Sequence, residues 1–422
     1  MDLYGELEWR GLVYDATDGV REALAAGQVT AYAGFDPTAA SLHVGHLLPA
    51  LALARLQRMG HRPVAVVGGG TGLIGDPSGK NTERTLLSRE QVNENVDGIR
   101  SQLARLIDFG PGTAQGTLVN NADWLTTISA MEFLRDVGKH FSVNAMLARE
   151  SVKRRLESED GISYTEFSYS LLQSYDFLTL FDRYGCTLQM GGSDQWGNIV
   201  SGIDLIRRLR SARAQGLVMP LLTTASGAKF GKTEGGAVWL DAALTRPFEF
   251  YQFWLNVDDR DALKYLRFFT FFDAPRVAEL EQAMAREPER RHAQRELARE
   301  VTRLVHGDQA VSESEAAAEK LFRGDLSQMS VSELMEVFPN VPSTTVDWSQ
   351  DGWPLVELLV TAAVTSSRGE ATRLIKGGGI SLNDRRISNE RERVTVEQAI
   401  ASEIFLIRKG KKEHFLIRVR KG

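Results

Sequence analysis

Cysteine is almost absent from the chain, and so are long apolar runs. Among 422 residues only Cys186 is a cysteine, which excludes a disulfide framework and a zinc site built on cysteines. No apolar stretch approaches the ~20 residues that a membrane-spanning helix needs. The N-terminal MDLYGELEWRGL carries acidic side chains and lacks the apolar core of a secretory signal peptide. These absences predict a soluble, cytoplasmic protein without a membrane partner.

Charge of one sign is in slight excess, and it is unevenly distributed. The net charge is −5 and 25% of the residues are charged, which is ordinary for a globular chain and argues against nonspecific nucleic-acid binding. Residues 363–422 carry a net charge of +7, so the preceding residues carry −12. This basic end predicts a polyanionic partner, although a solvated basic face has the same composition.

Apolar patterning divides the chain into four parts. Over residues 1–240, short apolar strands alternate with helical spacing, which is typical of a Rossmann-like, doubly wound parallel sheet of the α/β class. Residues 241–325 carry aromatic and leucine side chains at helical spacing and predict an α-helical domain. The polar, proline-interrupted segment 326–352 predicts a linker, and the short helices and strands of 353–422 predict a small α+β domain.

Within the first part, the pattern also predicts individual elements. One amphipathic helix is expected over 2–26, a strand over 29–35 and a helix over 44–60. Two longer helices are expected over 129–157 and 164–184. The carboxyl ends of the parallel strands then meet at one edge of the sheet, where α/β folds bind ligands.

The first polar cluster is GFDPTAASLHVGH (34–46). Tyr32, Gly34 and Asp36 alternate along a strand, so they share one face. His43 and His46 are three residues apart at the start of a helix, where the helix dipole favours an anion. Two imidazoles there can donate hydrogen bonds to phosphate oxygens. A helix cap and a packed ring explain the same spacing, and a metal site lacks a third ligand nearby.

Two glycine-rich turns follow strands at the same predicted edge. GGGTGLIGDPSGK (68–80) carries Asp76, and GGSDQWGN (191–198) carries Asp194 and Gln195. Neither is a proper P-loop or dinucleotide fingerprint, and glycine patterns alone often mark plain turns. An ordinary helix cap also explains Asp194.

A polar stripe and a cationic loop complete the set. Tyr169, Gln173 and Asp176 fall within roughly a 60° arc of one helix face, so they either satisfy one another in the core or face a polar ligand. In AKFGKTEGG (228–236), Lys229 and Lys232 suit a loop that closes over a polyphosphate, although a solvated surface loop has the same composition.

Together the clusters resemble the bacterial tyrosyl-tRNA synthetases, which are class I aminoacyl-tRNA synthetases, in the strings YAGFDPTAASLHVGH, GGTGLIGDPSGK, YSLLQSYDF, GGSDQWGN and KFGKT. Residues 366–387 resemble an αL-type RNA-binding module, so the resemblance covers essentially the whole chain. Departures are small: Val44 stands where the class often has Ile, KFGKT replaces KMSKS, and Ala33 offers no polar group beside the expected ribose site.

The resemblance implies two steps: L-tyrosine and ATP form tyrosyl-adenylate and pyrophosphate, and tyrosine then passes to the 3′-terminal adenosine of tRNA(Tyr). ATP is a substrate that arrives with Mg²⁺, and no protein-bound metal or organic cofactor is expected. Implied contacts to the phosphates and pyrophosphate come from Thr38, His43, His46, Lys80, Arg84, Lys229, Lys232 and Thr233. Implied contacts to the ATP ribose come from Gly34, Gly192 and Asp194.

The resemblance also implies a pocket for tyrosine. Tyr32 and Asp176 pair with the substrate phenol, and phenylalanine would leave both buried and unpaired. This enzyme family is the standard example of such discrimination without an editing site. The remaining implied pocket residues are Asp76, Tyr169 and Gln173, which hold the ammonium, together with Asp36, Asn121, Gln189 and Gln195.

For the second step, the resemblance implies a homodimer with its contact around residues 125–165, and a tRNA that spans it. Candidates for phosphate contact are Lys153, Arg154, Arg155, Arg207, Arg208, Arg368, Arg373 and Lys376; a solvated helix face explains the first five equally well.

Three alternative functions for the chain stay open. They are a tryptophanyl-tRNA synthetase, a non-catalytic RNA-binding paralogue and a nicotinamide-dependent oxidoreductase.

Overall fold

The structure is a computed structural model, and it forms two compact units. It describes residues 2–78, 86–157, 161–225, 227, 230–233, 236–323, 329–338, 341–410 and 413–420. The first unit contains Met1–Thr245 and Gln252–Val305, and the second contains Arg246–Tyr251 and His306–Gly422. Of the candidate site residues, Lys80, Arg84 and Lys229 lie outside the described residues, and the side chains of Lys232 and Thr233 are not described.

The first unit is built on a six-stranded sheet. Its strands are β1 (Asp15–Ala16), β2 (Thr30–Phe35), β3 (Arg62–Val67), β4 (Thr117–Asn120), β5 (Cys186–Gly192) and β6 (Gln215–Met219). Their order is β1-β6-β5-β2-β3-β4, and only β1 runs antiparallel to its neighbour. The apolar run of β3 is buried on both faces, as a central parallel strand requires. The predicted doubly wound α/β fold is confirmed.

Helices cover both faces of this sheet. They include α1 (Leu3–Arg10), α2 (Val20–Ala26), α3 (Leu47–Arg58) and α4 (Arg89–Leu106). The prediction of one helix over 2–26 is wrong. Gly11 adopts φ 77° and closes α1, after which β1 pairs with β6 before α2 begins. A left-handed glycine at this position is a common helix terminator.

Residues 122–157 form a chain of short helices. They are α5 (Ala122–Leu125), α6 (Ala130–Glu132), α7 (Val143–Leu147) and α8 (Glu150–Leu156), with a π-turn and a 3₁₀ turn between α6 and α7. The prediction of one long helix over 129–157 is therefore wrong. Ser142 and Arg149 adopt extended backbone and interrupt the helix. Helical spacing of apolar residues alone does not reveal these interruptions. The predicted helix over 164–184 is confirmed as α9 (Tyr164–Tyr184), and α10 (Trp196–Arg210) follows β5.

A short hairpin and a helical region follow the sheet. The hairpin pairs β7 (Lys232–Thr233) with β8 (Gly236–Ala237). The helices are α11 (Pro247–Leu255), α12 (Asp259–Phe269), α13 (Ala274–Arg286) and α14 (His292–Arg323), with a break in α14 where Gly307 has φ 87°. The prediction of a helical region here is confirmed. None of the described helices combines the length and apolar composition needed to cross a membrane.

The second unit carries a small α+β fold. Its helices are α15 (Val331–Val337), α16 (Leu355–Thr361) and α17 (Arg368–Lys376). Its strands are β9 (Ser343–Asp347), β10 (Trp353–Pro354), β11 (Ile380–Leu382), β12 (Arg385–Arg386), β13 (Arg393–Val394), β14 (Ile404–Lys409) and β15 (Glu413–Arg420). The main sheet has the order β12-β11-β14-β15-β9, in which β9 runs parallel to β15.

The segment 326–352, predicted as a linker, contains α15 and β9 among its described residues. The capping box of Ser330 and Glu333 starts α15, and β9 completes the main sheet. The linker prediction is therefore wrong for these residues, because a polar composition with prolines also suits the ends of short elements. The other predicted domain boundaries stay a prediction.

Candidate active site

The candidate site lies at the carboxyl ends of β2, β3 and β5, where the strand order changes direction. At this position an open α/β sheet leaves a crevice. Gly34 near the end of β2 is exposed, and a Cβ atom built on it would have no neighbour within 4 Å. The backbone of β2 is therefore open to a ligand.

A buried polar network centres on Asp176 of α9. Its Oδ1 accepts a hydrogen bond from Trp124 Nε1 at 2.7 Å, and its Oδ2 accepts one from Asn121 Nδ2 at 2.9 Å. Asn121 in turn donates to Thr71 Oγ1 at 2.9 Å and accepts from the N–H of Gly70 at 2.7 Å. These contacts fix the carboxylate in a single orientation.

Burial dominates the electrostatics of this network. It raises the pKa of Asp176 to about 7, although the hydrogen bonds from Asn121 and Trp124 act in the opposite direction. The pKa of the neighbouring Tyr32 is also raised well above its ordinary value, first by burial and then by the charge of Asp176. Tyr32 is therefore a neutral hydroxyl beside a carboxyl group that titrates near neutral pH.

Two buried polar atoms of the site have no protein partner among the described residues. They are the hydroxyl of Tyr32 and Oε1 of Gln189. The two residues are neighbours in register on β2 and β5, and their exposed fractions are only 2% and 3%. Orphaned buried polar atoms are costly, so they indicate a position for a polar ligand group.

The carboxylate of Asp36 joins β2 to α9. It accepts from Thr71 Oγ1 at 2.7 Å with one oxygen and from the Tyr169 hydroxyl at 2.8 Å with the other. Burial and the charge of Asp36 raise the pKa of Tyr169 well above its ordinary value. Tyr169 is therefore a neutral, oriented phenol.

A second polar network lies between α9 and the glycine-rich turn after β5. Gln195 Nε2 donates to Asp76 Oδ2 at 2.7 Å, and Gln173 Nε2 donates to Gln195 Oε1 at 3.2 Å. Asn198 Nδ2 donates to Gln173 Oε1 at 3.0 Å. The structure thus brings Asp76, Gln173 and Gln195 together, as the sequence analysis expected.

His43 and His46 form a stacked pair at the start of α3. Their ring centroids are 3.9 Å apart with an interplanar angle of 23°. Nδ1 of His43 accepts the N–H of Gly45 at 3.0 Å, and Nδ1 of His46 accepts the N–H of His43 at 3.2 Å. Both histidines therefore cap the helix, and because Nδ1 accepts in each ring, the ring proton lies on Nε2.

The HVGH segment (43–46) is in direct contact with the KFGKT segment (229–233). Gly231 adopts φ 77°, and a Cβ atom on it would lie 2.7 Å from Cγ2 of Val44. The N–H of Val238 donates to the carbonyl of Gly231, and the N–H of Val44 donates to the carbonyl of Val238. Segments about 190 residues apart in sequence thus meet through their backbones.

The expected ribose and phosphate residues are more exposed. Asp194 is exposed on the turn after β5, and a Cβ atom built on Gly192 would lie 2.6 Å from its Oδ1. Thr38 is exposed on the loop after β2. These positions surround the same open end of the sheet as Gly34.

The basic candidates for tRNA contact divide into two groups. Arg155 is buried in an ion pair with Glu166 at 2.8 Å, so its expected role in phosphate contact is wrong. The exposed candidates are Lys153, Arg154, Arg207, Arg208, Arg368, Arg373 and Lys376. Among them, Arg207 and Arg208 both pair with Asp204 on their own helix.

Sequence reasoning missed three members of the site, namely Thr71, Trp124 and Asn198. Each bonds a predicted residue through its side chain. Trp124 lies 52 residues before its partner Asp176, and no local spacing reveals such a pair. Thr71 and Asn198 lie inside the two glycine-rich turns, so the turns themselves are the signal that pointed to them.

The comparisons with known proteins agree with this geometry. Residues 24–323 match the family model of the class I tRNA synthetases (W and Y), and residues 333–417 match the C-terminal domain of tyrosine–tRNA ligases of the SYY type. The fold and the site thus define a class I aminoacyl-tRNA synthetase.

Individual relatives narrow the assignment. The chain is 55% identical to the tyrosine–tRNA ligase of Roseiflexus castenholzii over 98% of both chains, and 50% identical to that of Geobacillus stearothermophilus over 99% of this chain and 100% of that one. A solved structure, a C-terminally truncated mitochondrial tyrosyl-tRNA synthetase of Aspergillus nidulans, has a TM-score of 0.70 at 32% identity and covers 76% of this chain and 94% of its own.

The chain belongs to the tyrosine–tRNA ligase family, and the resemblance stated from its sequence is confirmed. It is an enzyme that activates L-tyrosine with ATP and then transfers the tyrosyl group to tRNA.

Proposed function

We propose that Tyr32 and Asp176 select L-tyrosine by binding its phenol. The observation that carries this proposal is the unpartnered hydroxyl of Tyr32, which is buried beside a carboxylate that two donors already orient. The substrate phenol donates to Asp176 and accepts from Tyr32, while Gln189 contributes Oε1 from the neighbouring strand. Phenylalanine would leave these groups buried and unpaired, which costs about 1–3 kcal/mol per group.

The second network supports the binding of the amino-acid end of the substrate. Asp76, Tyr169 and Gln173 offer a carboxylate, a phenol oxygen and an amide oxygen to the ammonium group, and Gln195 holds Asp76 in place. Asp36 orients Tyr169, and Asn121 orients Asp176. The substrate is thereby fixed at both ends, which leaves its carboxylate directed to the open end of β2.

The open glycines support an ATP site there. Gly34, Gly192 and Asp194 receive the ribose, and Thr38 with the Nε2–H groups of His43 and His46 contacts the phosphates. Lys229, Lys232 and Thr233, with Lys80 and Arg84, bind the departing pyrophosphate. The described residues contain no cluster of three or more side chains that could hold a metal ion. Mg²⁺ would arrive with ATP.

The reaction needs positioning and charge stabilisation rather than a protein nucleophile. An oxygen of the tyrosine carboxylate attacks the α-phosphorus, the bond to the β-phosphate oxygen breaks, and pyrophosphate leaves with the electron pair. In the second step a ribose hydroxyl of the terminal tRNA adenosine attacks the tyrosyl carbonyl, and AMP leaves. The histidine donors face negative charge that grows on the phosphates during the first step.

The wider assignments belong to the same proposal. The enzyme is a cytoplasmic homodimer whose subunits meet around residues 125–165, where Met131, Leu134 and Val143 are 76%, 50% and 58% exposed. Apolar surface of this extent suits a second copy of the chain. The tRNA(Tyr) is held by Lys153, Arg154, Arg207 and Arg208 on the first unit and by Arg368, Arg373 and Lys376 on the second.

The test is ATP–pyrophosphate exchange without tRNA, with tyrosine, phenylalanine and tryptophan as substrates. Wild-type enzyme is expected to exchange with tyrosine only, and Tyr32→Phe is expected to raise activity toward phenylalanine relative to tyrosine by about tenfold. Tyr175→Phe, an altered tyrosine one residue before Asp176, is the matched control. An unchanged ratio in Tyr32→Phe would overturn the phenol assignment. No exchange with any substrate would favour a non-catalytic RNA-binding paralogue.

A further inference from the structure

The segment that leads from β6 into the KFGKT segment is attached to α12 at two backbone positions. The N–H of Ala225 donates to Oδ2 of Asp261 at 2.7 Å. The carbonyl of Thr223 accepts from Nζ of Lys264 at 3.1 Å and from the hydroxyl of Tyr265 at 3.3 Å. Side chains from the first two turns of α12 therefore hold residues 223–225.

The same helix holds the chain again at Phe230, inside the KFGKT segment. The Phe230 ring is buried, with its centroid 4.8 Å from that of Tyr265, and it is stacked on Phe269 at 5.5 Å. Phe253 and Trp254 close the cage at 5.5 and 5.7 Å. Lys229 and Gly231 are the covalent neighbours of Phe230, so this cage determines where the segment leaves α12 and meets Val44.

The carboxylate of Asp261 differs from the aromatic members of these contacts because it is a buried acidic group. Its exposed fraction is 4%, and its Oδ1 lies 3.0 Å from Nζ of Lys264. A buried carboxylate is costly unless it is paired and hydrogen-bonded. The bond to Ala225 and the ion pair with Lys264 offset that cost, and both Asp261 and Lys264 bond the backbone of the segment that precedes KFGKT.

The far end of α12 is fixed as well. Arg10 of α1 donates to the carbonyls of Arg267 at 2.7 Å and Thr270 at 3.1 Å. Arg55 of α3 donates to the carbonyls of Phe268 at 2.7 Å and Thr270 at 2.8 Å. Since α3 begins directly after the HVGH segment, the helix that follows HVGH and the helix that holds KFGKT are clamped to each other.

We propose that Asp261 is a positioning residue for adenylate formation, because its bond to the Ala225 N–H holds the backbone that leads to Phe230 and Gly231, where the KFGKT segment contacts Val44. Asp261 touches neither substrate. The inference rests on the proposed role of Lys229 and Lys232, and it adds a reason why Phe230 and Gly231 keep a defined position next to Val44.

The test compares variants of α12 in the full-length chain by tyrosine-dependent ATP–pyrophosphate exchange. Asp261→Ala is expected to lower kcat about tenfold, because a buried donor–acceptor pair is lost, while the KM for tyrosine changes by less than about twofold. Asp261→Asn retains an acceptor for the Ala225 N–H and is expected to restore most of the kcat. Asp259→Ala, on the same helix and bonded to Gln294 instead, is the matched control with unchanged kinetics.

A second variant tests the same anchor in case Asp261→Ala does not fold. Lys264→Ala removes a partly exposed side chain from Thr223 and is expected to lower kcat in the same direction by about threefold. Because it also removes the ion pair that offsets the burial of Asp261, thermal unfolding is measured on each variant and kcat is compared between folded enzymes. Equal kcat in wild type and a folded Asp261→Ala enzyme would overturn the inference, as would equal losses in Asp261→Ala and Asp259→Ala. Lys232→Ala separates the two hypotheses: if it too leaves kcat unchanged, the proposed role of the loop fails, whereas a loss with Lys232→Ala alone rejects only the anchor.

Discussion

Asp176 makes the recognition of tyrosine sensitive to pH. Burial raises its pKa from 3.8 to about 7, so in the unfolded chain it loses its proton at lower pH than in the folded enzyme. The stability contribution of the protonated group is complete below about pH 4 and is lost as the pH rises through about 7. In the same upper pH range Asp176 becomes a carboxylate, which accepts a hydrogen bond from the substrate phenol more strongly than a carboxylic acid does.

We therefore expect the KM for tyrosine to fall as the pH rises from about 6 to 8, below the range in which free tyrosine itself titrates. Asp176→Asn is expected to flatten this profile. Trp124→Phe removes a hydrogen bond that lowers the pKa, so it is expected to move the midpoint to higher pH. The measurement is the pH dependence of KM in ATP–pyrophosphate exchange. A flat wild-type profile would contradict the assigned role.

His46 has two roles that a single substitution normally confounds. Its Nδ1 closes the capping box with His43, and in the proposal its Nε2–H contacts the ATP phosphates. Gln retains a capping acceptor at this helix position, whereas Ala does not. The pair His46→Gln and His46→Ala therefore separates the structural role from the chemical one.

Both His46 variants are expected to lower the rate of adenylate formation about 10²-fold, since each loses a preorganised donor to the reacting phosphate. Only His46→Ala is expected to lose thermal stability as well, by about 1 kcal/mol for the cap. Single-turnover kinetics and thermal unfolding measure the two effects, and tyrosine binding serves as the control. An equal loss of tyrosine affinity and of rate would argue that the site is deformed rather than deprived of a donor.

At the scale of elements, the contact between the HVGH and KFGKT segments depends on the glycine at position 231. Gly231 and Gly227 have similar left-handed backbones, with φ 77° and 81°. Among the described residues, a Cβ atom on Gly231 meets Val44 at 2.7 Å, whereas one on Gly227 meets no residue within 4 Å. The two positions therefore form a matched pair. The backbone strain of an L side chain is common to both, about 1 kcal/mol, and the steric clash is specific to one.

Gly231→Ala is expected to reduce kcat in ATP–pyrophosphate exchange about tenfold more than Gly227→Ala does, because the clash separates the two segments. The same assay on Val44→Ala combined with Gly231→Ala is expected to recover part of the difference. If the two glycine substitutions have the same effect, the contact between the segments carries no function.

Elements with a strong local signal were predictable, and those that depend on distant partners were not. The β2 strand follows from alternating and continuous apolar residues, and α9 follows from its 3.6-residue pattern. The helical spacing over 129–157 wrongly predicted one long helix, because Ser142 and Arg149 adopt extended backbone and divide that segment. The stripe of Tyr169, Gln173 and Asp176 was visible in the sequence, whereas the indole donor from Trp124 depends on tertiary folding.

At the scale of the whole molecule, the two units have different tasks in the proposal. All residues proposed to contact tyrosine and ATP lie within Met1–Thr245 of the first unit. The second unit has its own apolar core, which includes Leu355, Leu358, Phe405 and Ile417. Activation and tRNA binding should therefore be separable by deletion.

The boundary for such a deletion follows from the sheet of the second unit. A chain ending near 352, as the predicted linker suggests, keeps β9 but removes β15, which is its strand partner. A chain ending at Arg323 avoids an orphaned strand. We expect this shorter chain to retain tyrosine-dependent pyrophosphate exchange and to lose tRNA charging, and normal charging by it would refute the division of tasks.

The full-length enzyme offers the sharper test, because three exposed cations can be removed without deleting any element. Arg368 and Lys376 pair with Glu357 and Glu390 at the surface, and such pairs are worth little, so both cations can exchange their partners for phosphates at small cost. If Arg368, Arg373 and Lys376 each neutralise one tRNA phosphate, their joint replacement by Ala lowers the slope of log affinity against log salt by about 2–3. Arg260→Ala on α12, equally exposed and basic, is the control that leaves the slope unchanged. An unchanged slope in the triple variant, with exchange activity intact, would place the tRNA on other cations.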